Sequence, residues 1–226
     1  MGAFAALVAA ATMILSAYVA ATGGYFNVGE IMVYTAALVM GPIVGSFAGG
    51  VGSALADLAL GYAYFAPGTL LIKAAEGFIV GYLAKFSTST LSVKAWRCLS
   101  ILVGAGLASL IWWVGSSFYS GVMEVSFGLP MLGQIVACID VPIGFWALIS
   151  GGVFILMVVA AFSIDPAVGL MVLAVLAGGA EMILGYFLYE YYVLGKGLAA
   201  FVEVPVNIGQ LVVGLIVAIP LSRSIR

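Results

Sequence analysis

The chain has 226 residues, of which 65% are hydrophobic and only 7% are charged. A soluble domain carries about 25% charged residues, so this chain cannot cover itself with polar surface and its solvent must be lipid. The formal net charge is −2, and the basic residues are too scattered for a nucleic-acid-binding protein. The sequence contains no histidine and two distant cysteines, which argues against a zinc site or a Cys/His catalytic pair. We expect neither a metal ion nor a cofactor.

The first predicted helix covers residues 3–22, a length of about 20 residues that spans a bilayer. Ala5 and Ala9, and likewise Ala6 and Ala10, are four residues apart on it. Small residues at this spacing let another helix approach closely. The spacing alone leaves open whether that other helix belongs to the same chain or to a partner protein.

Residues 23–29 are predicted to form a loop, and a short helix follows over residues 28–40. Gly41-Pro42 ends this helix, and Pro42 begins the next one, which runs to about residue 62. A fourth helix is predicted over residues 67–86. Its charged residues Lys73 and Glu76 lie within an apolar segment.

The second half of the chain is predicted to begin with a polar turn over residues 87–93. A helix over 96–119, a loop over 120–130 and a long helical segment over 131–162, kinked at Pro142, follow. Asp165 and Pro166 are typical of a helix start, with this helix ending near residue 192 and a last helix over 198–221. No linker divides the chain, so we predict one integral membrane domain over residues 1–226.

The basic residues favour about eight crossings with both termini in the cytoplasm. Cytoplasmic loops of membrane proteins are enriched in lysine and arginine. Eight crossings place on that side Lys85, Lys94, Arg97, Arg223 and Arg226, and leave only Lys196 outside. We therefore predict an all-α, polytopic helical bundle in the cell membrane.

The same topology places most intramembrane polar residues in the outer half of the bundle: Glu30, Asp57, Lys73, Glu76, Glu190, Glu203, Asn207 and Gln210. Ionisable groups in a membrane usually face a cavity or one another, so this cluster indicates an outward-facing pocket. Four alternatives stay open. Tyrosines near the outer boundary can form an ordinary interfacial belt, and Glu203, close to the membrane edge, can be solvated. Lys73 and Glu76 are three residues apart and can neutralise each other, and Asn207 and Gln210, at the same spacing, can join helices by hydrogen bonds.

Several stretches, in order, resemble one family of membrane proteins. They read N-V-G-E-I, A-A-L-V-M-G-P-I-V-G, G-G-V-G-S-A-L-A-D-L and T-L-L-I-K-A-A-E-G-F in the first half. Near the end they read G-Y-F-L-Y-E-Y-Y-V-L-G and E-V-P-V-N-I-G-Q-L-V-V-G. Together they are similar to substrate-binding (S) components of energy-coupling factor (ECF) transporters, closest to the riboflavin type. The resemblance covers residues 3–86 and 166–221.

The resemblance implies a six-helix core over those residues, with an inserted helical hairpin over 96–162. It implies capture of a water-soluble vitamin or precursor from outside, riboflavin being the first guess. Import would then require a separate transmembrane coupling subunit and two ATPase subunits. This chain has no P-loop G-x-x-x-x-G-K-[ST] and is not expected to be an enzyme. The alanines Ala5, Ala6, Ala9 and Ala10 would dock onto the coupling subunit.

The expected ligand site combines a lid, charged groups, amides and an aromatic ring. The residues assigned to it are Tyr25, Phe26, Asn27, Glu30, Lys73, Glu76, Tyr186, Glu190, Asn207 and Gln210. Two other classes stay open. A stand-alone transporter or channel without ATPase partners is mildly favoured by the inserted hairpin, whereas an intramembrane enzyme has no paired catalytic motif in its support.

Overall fold

The computed structural model describes residues 1–19, 23–85, 92–118, 120–127 and 135–225. Within these ranges the chain forms eight α-helices and two β-hairpins. The helices are α1 (Gly2–Ile14), α2 (Glu30–Met40), α3 (Pro42–Leu60), α4 (Ala66–Lys85), α5 (Val93–Phe118), α6 (Ile143–Ser163), α7 (Pro166–Leu188) and α8 (Glu203–Ile225). The strands are β1 (Ser16–Val19), β2 (Gly24–Asn27), β3 (Gly121–Phe127) and β4 (Ile135–Val141).

The chain divides into two compact units. The first, which we call the core unit, consists of Met1–Thr90 and Ala167–Arg226, and the second, the hairpin unit, consists of Leu91–Pro166. The prediction that the whole chain is a single domain stays a prediction.

Five helical segments are long and apolar enough to cross a membrane, counted over the described residues: Pro42–Leu60, Val93–Ser117, Ile143–Ser163, Pro166–Val193 and Gly197–Ile225. Two shorter apolar helices are Gly2–Ile14 and Glu30–Met40. The helix α4 has 20 residues and carries three charges, Lys73, Glu76 and Lys85. The predicted class, an all-α polytopic membrane bundle, is confirmed, whereas the count of eight crossings stays a prediction.

Glycine and proline separate α2 from α3 as predicted. Gly41 has a φ of 82° and its N–H caps the carbonyl of Ala37, and Pro42 is the first residue of α3. A φ in this region is accessible to glycine at little cost. The same device ends α3, where Gly61 has a φ of 88°.

The core unit packs closely because glycines face neighbouring backbones. A Cβ added at Gly45 would lie 2.7 Å from the Ala37 Cα and 2.7 Å from the Gly77 carbonyl oxygen, and one at Gly49 would lie 2.6 Å from the Lys73 carbonyl oxygen. Helices α2, α3 and α4 therefore approach to distances that only a residue without a side chain permits. This close packing fixes Lys73 relative to α3.

The structure corrects the N-terminal prediction. The helix predicted over residues 3–22 ends at Ile14, and Ser16–Val19 pairs antiparallel with Gly24–Asn27, placing Tyr18 opposite Tyr25. The predicted loop over 23–29 is therefore largely a strand, because hairpin pairing satisfies its backbone groups and tyrosine suits a pleated surface. Residues 20–22 lie outside the described part of the chain.

The hairpin unit also differs from its prediction. Residues 121–127 form β3, which pairs with β4. Of the segment predicted as one kinked helix over 131–162, residues 131–134 lie outside the described part of the chain, and the rest is a strand followed by α6. Pro142 has φ −68° and ψ 148° immediately before α6, so it separates two elements instead of kinking one helix. Helices α5 and α6 are antiparallel, with the Gly104 position facing Met157. Most of the predicted turn over 87–93 and part of the loop over 120–130 lie outside the described residues.

Candidate ligand-binding site

Most elements of the core unit contribute to one cavity, which is built from β2 and from the ends of helices that meet near it. Its lining consists of Thr12, Gly24, Tyr25, Asn27, Ser53, Asp57, Phe65, Thr69, Lys73, Tyr186, Glu190, Glu203, Asn207 and Gln210. The open space is about 40 Å³, which is room for about three water molecules. A larger ligand therefore requires the lining to move outward.

Seven of the ten residues assigned to the site line this cavity: Tyr25, Asn27, Lys73, Tyr186, Glu190, Asn207 and Gln210. Phe26 lies between Tyr25 and Asn27 on β2, and side chains alternate along a strand, so Phe26 points to the other face, toward Gly209. Glu30 and Glu76 are buried behind Lys73. That these residues bind a ligand stays a prediction.

Lys73 forms the centre of a buried ionic network. Its Nζ contacts Glu30 Oε1 and lies 3.0 Å from Glu76 Oε2. The hydroxyl of Tyr34 donates to Glu76 Oε1 at 2.7 Å. These side chains are all almost completely buried, where an unpaired charge would be very unfavourable. Lys73 and Glu76 therefore form the ion pair that their spacing allowed, and Glu30 is a second carboxylate in contact with Lys73.

Asp57 is the polar contact of α3 with β2. Tyr25 donates a hydrogen bond to Asp57 Oδ1 at 2.6 Å, and the Tyr25 ring stacks on Tyr62 with centroids 4.5 Å apart. Burial, followed by the Asp57 carboxylate, raises the pKa of Tyr25 above its usual value, so its hydroxyl stays a donor at neutral pH. The other oxygen, Asp57 Oδ2, is buried, and the Thr69 side chain also acts on this carboxylate as a hydrogen-bond donor.

Tyrosines connect the β1–β2 hairpin to the loop between α3 and α4 and to α7. Tyr64 donates to the carbonyl of Gly23 at 2.7 Å, and Tyr189 donates to the carbonyl of Tyr64 at 2.8 Å. Tyr186 donates to Thr69 Oγ1 at 3.0 Å. At the rim of the cavity these three hydrogen bonds join the hairpin, the loop between α3 and α4, α4 and the end of α7.

The last two helices meet the cavity through an irregular connection. A π-helical turn, Tyr189–Val193, and a 3₁₀-helix, Gly197–Val202, join α7 to α8. Within it Lys196 Nζ lies 3.4 Å from Glu190 Oε2. On α8, Gln210 donates to Asn207 Oδ1 at 3.1 Å. The two amides therefore pair within one helix, and both also line the cavity.

Seven lining residues were not assigned to the site from the sequence: Thr12, Gly24, Ser53, Asp57, Phe65, Thr69 and Glu203. A usable signal was present, because polar lining residues recur at a spacing of four on α3, α4 and α8 and across the end of α7. The pairs are Ser53/Asp57, Thr69/Lys73, Tyr186/Glu190 and Glu203/Asn207. Residues four apart share a helix face, so one polar member of each pair indicates the other.

Comparison with known families identifies the family to which this chain belongs. The profile of a family described as the ECF-type riboflavin transporter, S component, matches residues 1–164. The chain belongs to this family. It is also 36% identical over 131 residues to an uncharacterised protein in the gap 3′ region of Pyrococcus woesei, an alignment covering 55% of this chain and 88% of that protein. No solved structure matches the chain.

As an S component the chain is a substrate-binding subunit of a vitamin transporter, a class that performs no catalysis itself. The match extends through the hairpin unit and stops before α7 and α8. The assignment of Tyr186, Glu190, Asn207 and Gln210 to the site therefore rests on the cavity and not on the family profile.

The alanines of this S component have two different environments. Ala5 and Ala9 are buried in α1, and a Cβ at Gly52 of α3 would lie 2.6 Å from the Ala5 carbonyl oxygen. Ala6 and Ala10 are exposed. One half of the predicted docking face thus packs inside the chain, and the other half is accessible. Docking onto a coupling subunit stays a prediction.

Proposed function

We propose that this S component captures a water-soluble vitamin or vitamin precursor in the cavity of the core unit. The observation that carries this proposal is the convergence of polar side chains from β2, α3, α4, α7 and α8 on one space in an otherwise apolar chain. Buried polar groups are costly in a membrane and mark binding sites or ion pathways. The family description names riboflavin, which makes it the first ligand to test.

The β1–β2 hairpin acts as the lid of this site. It contributes Tyr25 and Asn27 to the lining, and its attachment to the helices consists of a few hydrogen bonds, including those of Tyr25 and Tyr64. A lid held by a few polar contacts can open without disrupting the helix packing. Since the cavity is narrow, ligand entry requires this opening.

The ligand enters from outside the cell. The cavity is formed by the amino-terminal halves of α4 and α8, whereas Lys85 and Arg223 lie at the carboxyl ends of these helices. Lysine and arginine are enriched on the cytoplasmic side. The position of these basic residues supports our proposal that the lid faces the outside and that both termini are cytoplasmic.

Delivery across the membrane is the task of separate chains, a coupling subunit and two ATPase subunits. The exposed residues Ala6 and Ala10 on α1 provide a small-residue surface for close helix contact. The competing proposal, a stand-alone transporter, is favoured by the additional apolar helices α5 and α6 of the hairpin unit. Copurification distinguishes the two, since only the ECF arrangement yields stoichiometric ATPase chains.

The experiment is isothermal titration calorimetry of the detergent-solubilised protein with a panel of vitamins, starting with riboflavin. We expect one vitamin to bind at a 1:1 ratio, and Asn207→Ala combined with Gln210→Ala to weaken it at least tenfold. Asp140→Asn is the control, because Asp140 is exposed in the hairpin unit. Binding that is unaffected by the double substitution would exclude this cavity as the site.

A further inference from the structure

Four polar side chains of the lining form one continuous chain of hydrogen bonds. Tyr186 on α7 donates to Thr69 Oγ1 on α4 at 3.0 Å, and the Thr69 side chain donates to the Asp57 carboxylate on α3. From the other end, Tyr25 on β2 donates to Asp57 Oδ1 at 2.6 Å. All four residues line the cavity, and we call them the hydroxyl wall.

The Asp57 carboxylate fixes the direction of every hydrogen bond in the hydroxyl wall. It accepts from both Tyr25 and Thr69, and each of these hydroxyls has a single proton to give. Thr69 then has no proton left for Tyr186, so the Tyr186 hydroxyl is the donor in the bond between them. Every hydroxyl proton of the wall is therefore used within the wall. Its oxygens offer only lone pairs to the cavity, and lone pairs accept hydrogen bonds.

Close packing fixes the position of Thr69 between its neighbours on α4. The carbonyl oxygen of Leu70 would lie 2.6 Å from a Cβ added at Gly50 of α3. On the other side, a Cβ added at Gly68 would lie 2.7 Å from the Tyr189 ring. Thr69 itself is 3% exposed. The helical part of the hydroxyl wall is therefore rigid, and only its β2 member belongs to the proposed lid.

A wall of acceptors selects a ligand that brings hydrogen-bond donors. A ligand with apolar atoms at this place would leave buried oxygens without a partner, which is costly. A polyhydroxylated chain supplies donors along its length, and the acceptors of the wall are likewise spread over β2, α3, α4 and α7. Riboflavin, the vitamin named in the family description, carries such a chain, its ribityl group, on a neutral ring.

We propose that the hydroxyl wall binds the polyhydroxylated part of the ligand, which is the ribityl chain in riboflavin. Asp57 and Thr69 are positioning residues in this arrangement, because they draw the hydroxyl protons into the wall and leave its oxygens as acceptors. The inference rests on the proposed function and deepens it, since it assigns one part of the captured vitamin to one wall of the cavity.

The test is a ligand series, measured by flavin fluorescence titration on the full-length protein in nanodiscs. Riboflavin and lumiflavin share the ring, but lumiflavin has a methyl group in place of the ribityl chain. 3-Methylriboflavin keeps the chain and lacks the imide N–H of the ring. Because several buried acceptors lose their donors, we expect wild type to bind lumiflavin at least about tenfold more weakly than riboflavin.

Thr69→Val and Thr69→Ser are the matched variants. Valine removes the hydroxyl between Tyr186 and Asp57 at nearly the same shape, whereas serine keeps it. Thr69→Val should weaken riboflavin and 3-methylriboflavin about tenfold and lumiflavin less than about threefold, and Thr69→Ser should restore most of the lost affinity. Asp57→Asn should show the same selectivity, because its NH₂ group cannot accept a hydroxyl proton. The exposed-carboxylate control Asp140→Asn should change none of the affinities.

A purely structural role of the wall would weaken all three flavins equally. Equal losses for riboflavin and lumiflavin, or wild-type riboflavin affinity in Thr69→Val, overturn the inference and leave the proposed function standing. An effect of Thr69→Val on riboflavin that is absent for 3-methylriboflavin assigns the wall to the ring and overturns it as well. If another vitamin binds and no flavin does, the inference alone fails. If no vitamin of the panel binds to the folded protein, the proposed function fails with it.

Discussion

The hydroxyl of Tyr25 donates a hydrogen bond of 2.6 Å to Asp57 Oδ1, joining the β1–β2 hairpin to α3 across 32 residues of sequence. This bond links a short two-stranded element to the most tightly packed helix pair of the core unit, α3 and α4. The acceptor is a carboxylate, and such charge-assisted bonds are about twice as strong as neutral ones. The contact therefore joins the proposed lid to the lining of the cavity.

Replacing Tyr25 with phenylalanine removes this bond and keeps the ring stacked on Tyr62. A hydrogen bond to a charged group contributes about 1.5–3 kcal/mol, so ligand dissociation should accelerate about tenfold or more. Stopped-flow measurement of ligand release from the detergent-solubilised protein checks this. Tyr18→Phe is the matched control, because Tyr18 pairs with Tyr25 in the hairpin but is 65% exposed. Equal dissociation rates for Tyr25→Phe and wild type would show that the hydroxyl does not hold the lid.

The ionic network of Lys73 stabilises the fold as a unit. Lys73→Met leaves Glu30 and Glu76 buried without a cation, and removing one partner of a buried ion pair costs about 3–5 kcal/mol. We expect a large fall in thermal stability in detergent, measured without ligand. Lys94→Met, at an exposed position near the start of α5, should stay within about 0.5 kcal/mol of wild type. Similar melting temperatures for the two variants would contradict this role.

Close helix packing predicts that Gly45 does not tolerate even a methyl group. An added Cβ would lie 2.7 Å from both the Ala37 Cα and the Gly77 carbonyl oxygen, so Gly45→Ala should destabilise the protein by about 1–3 kcal/mol. Gly106→Ala is the control. No described atom lies within 4 Å of its added Cβ, and alanine is the better helix former. Thermal unfolding of both variants tests the contrast, and a neutral Gly45→Ala would indicate that α2, α3 and α4 are farther apart.

The proposed docking surface predicts a separation of binding from assembly. Ala6→Trp places a large side chain on the exposed face of α1 and should abolish copurification of the coupling and ATPase subunits while vitamin affinity stays unchanged. Leu58→Trp, at a 55% exposed position of α3, should retain the complex. Retention of the partners by Ala6→Trp would place the docking surface elsewhere.

The helix boundaries set by glycine and proline could be predicted, because Gly41-Pro42 and Pro166 act through local backbone geometry. The grouping of Lys73, Asn207 and Gln210 around one cavity followed from the rarity of polar residues in apolar segments. The β1–β2 hairpin could not be predicted, since residues 3–22 are apolar and long enough to span a membrane as one helix. Its two strands form because Ser16–Val19 pairs with Gly24–Asn27, with Tyr18 opposite Tyr25. The apolar pattern of either segment alone does not reveal this pairing.

The role of Asp57 in the cavity lining could not be predicted, for a different reason. It was recognised as an intramembrane charge but was not assigned to the ligand, because its position relative to Tyr25 depends on how the hairpin folds over α3. Similarly, β4 is rich in β-branched residues and directly precedes Pro142, yet an apolar run of this kind is equally compatible with a helix until its partner strand is known.

The most direct test of the cavity as the vitamin site is native mass spectrometry of the protein extracted gently from its own membranes. The account predicts one bound small molecule per chain, with the mass of a vitamin or precursor, which is lost when Asn207 and Gln210 are both replaced by alanine. A folded wild-type protein without a bound vitamin, or a bound vitamin that persists in the double variant, would contradict it.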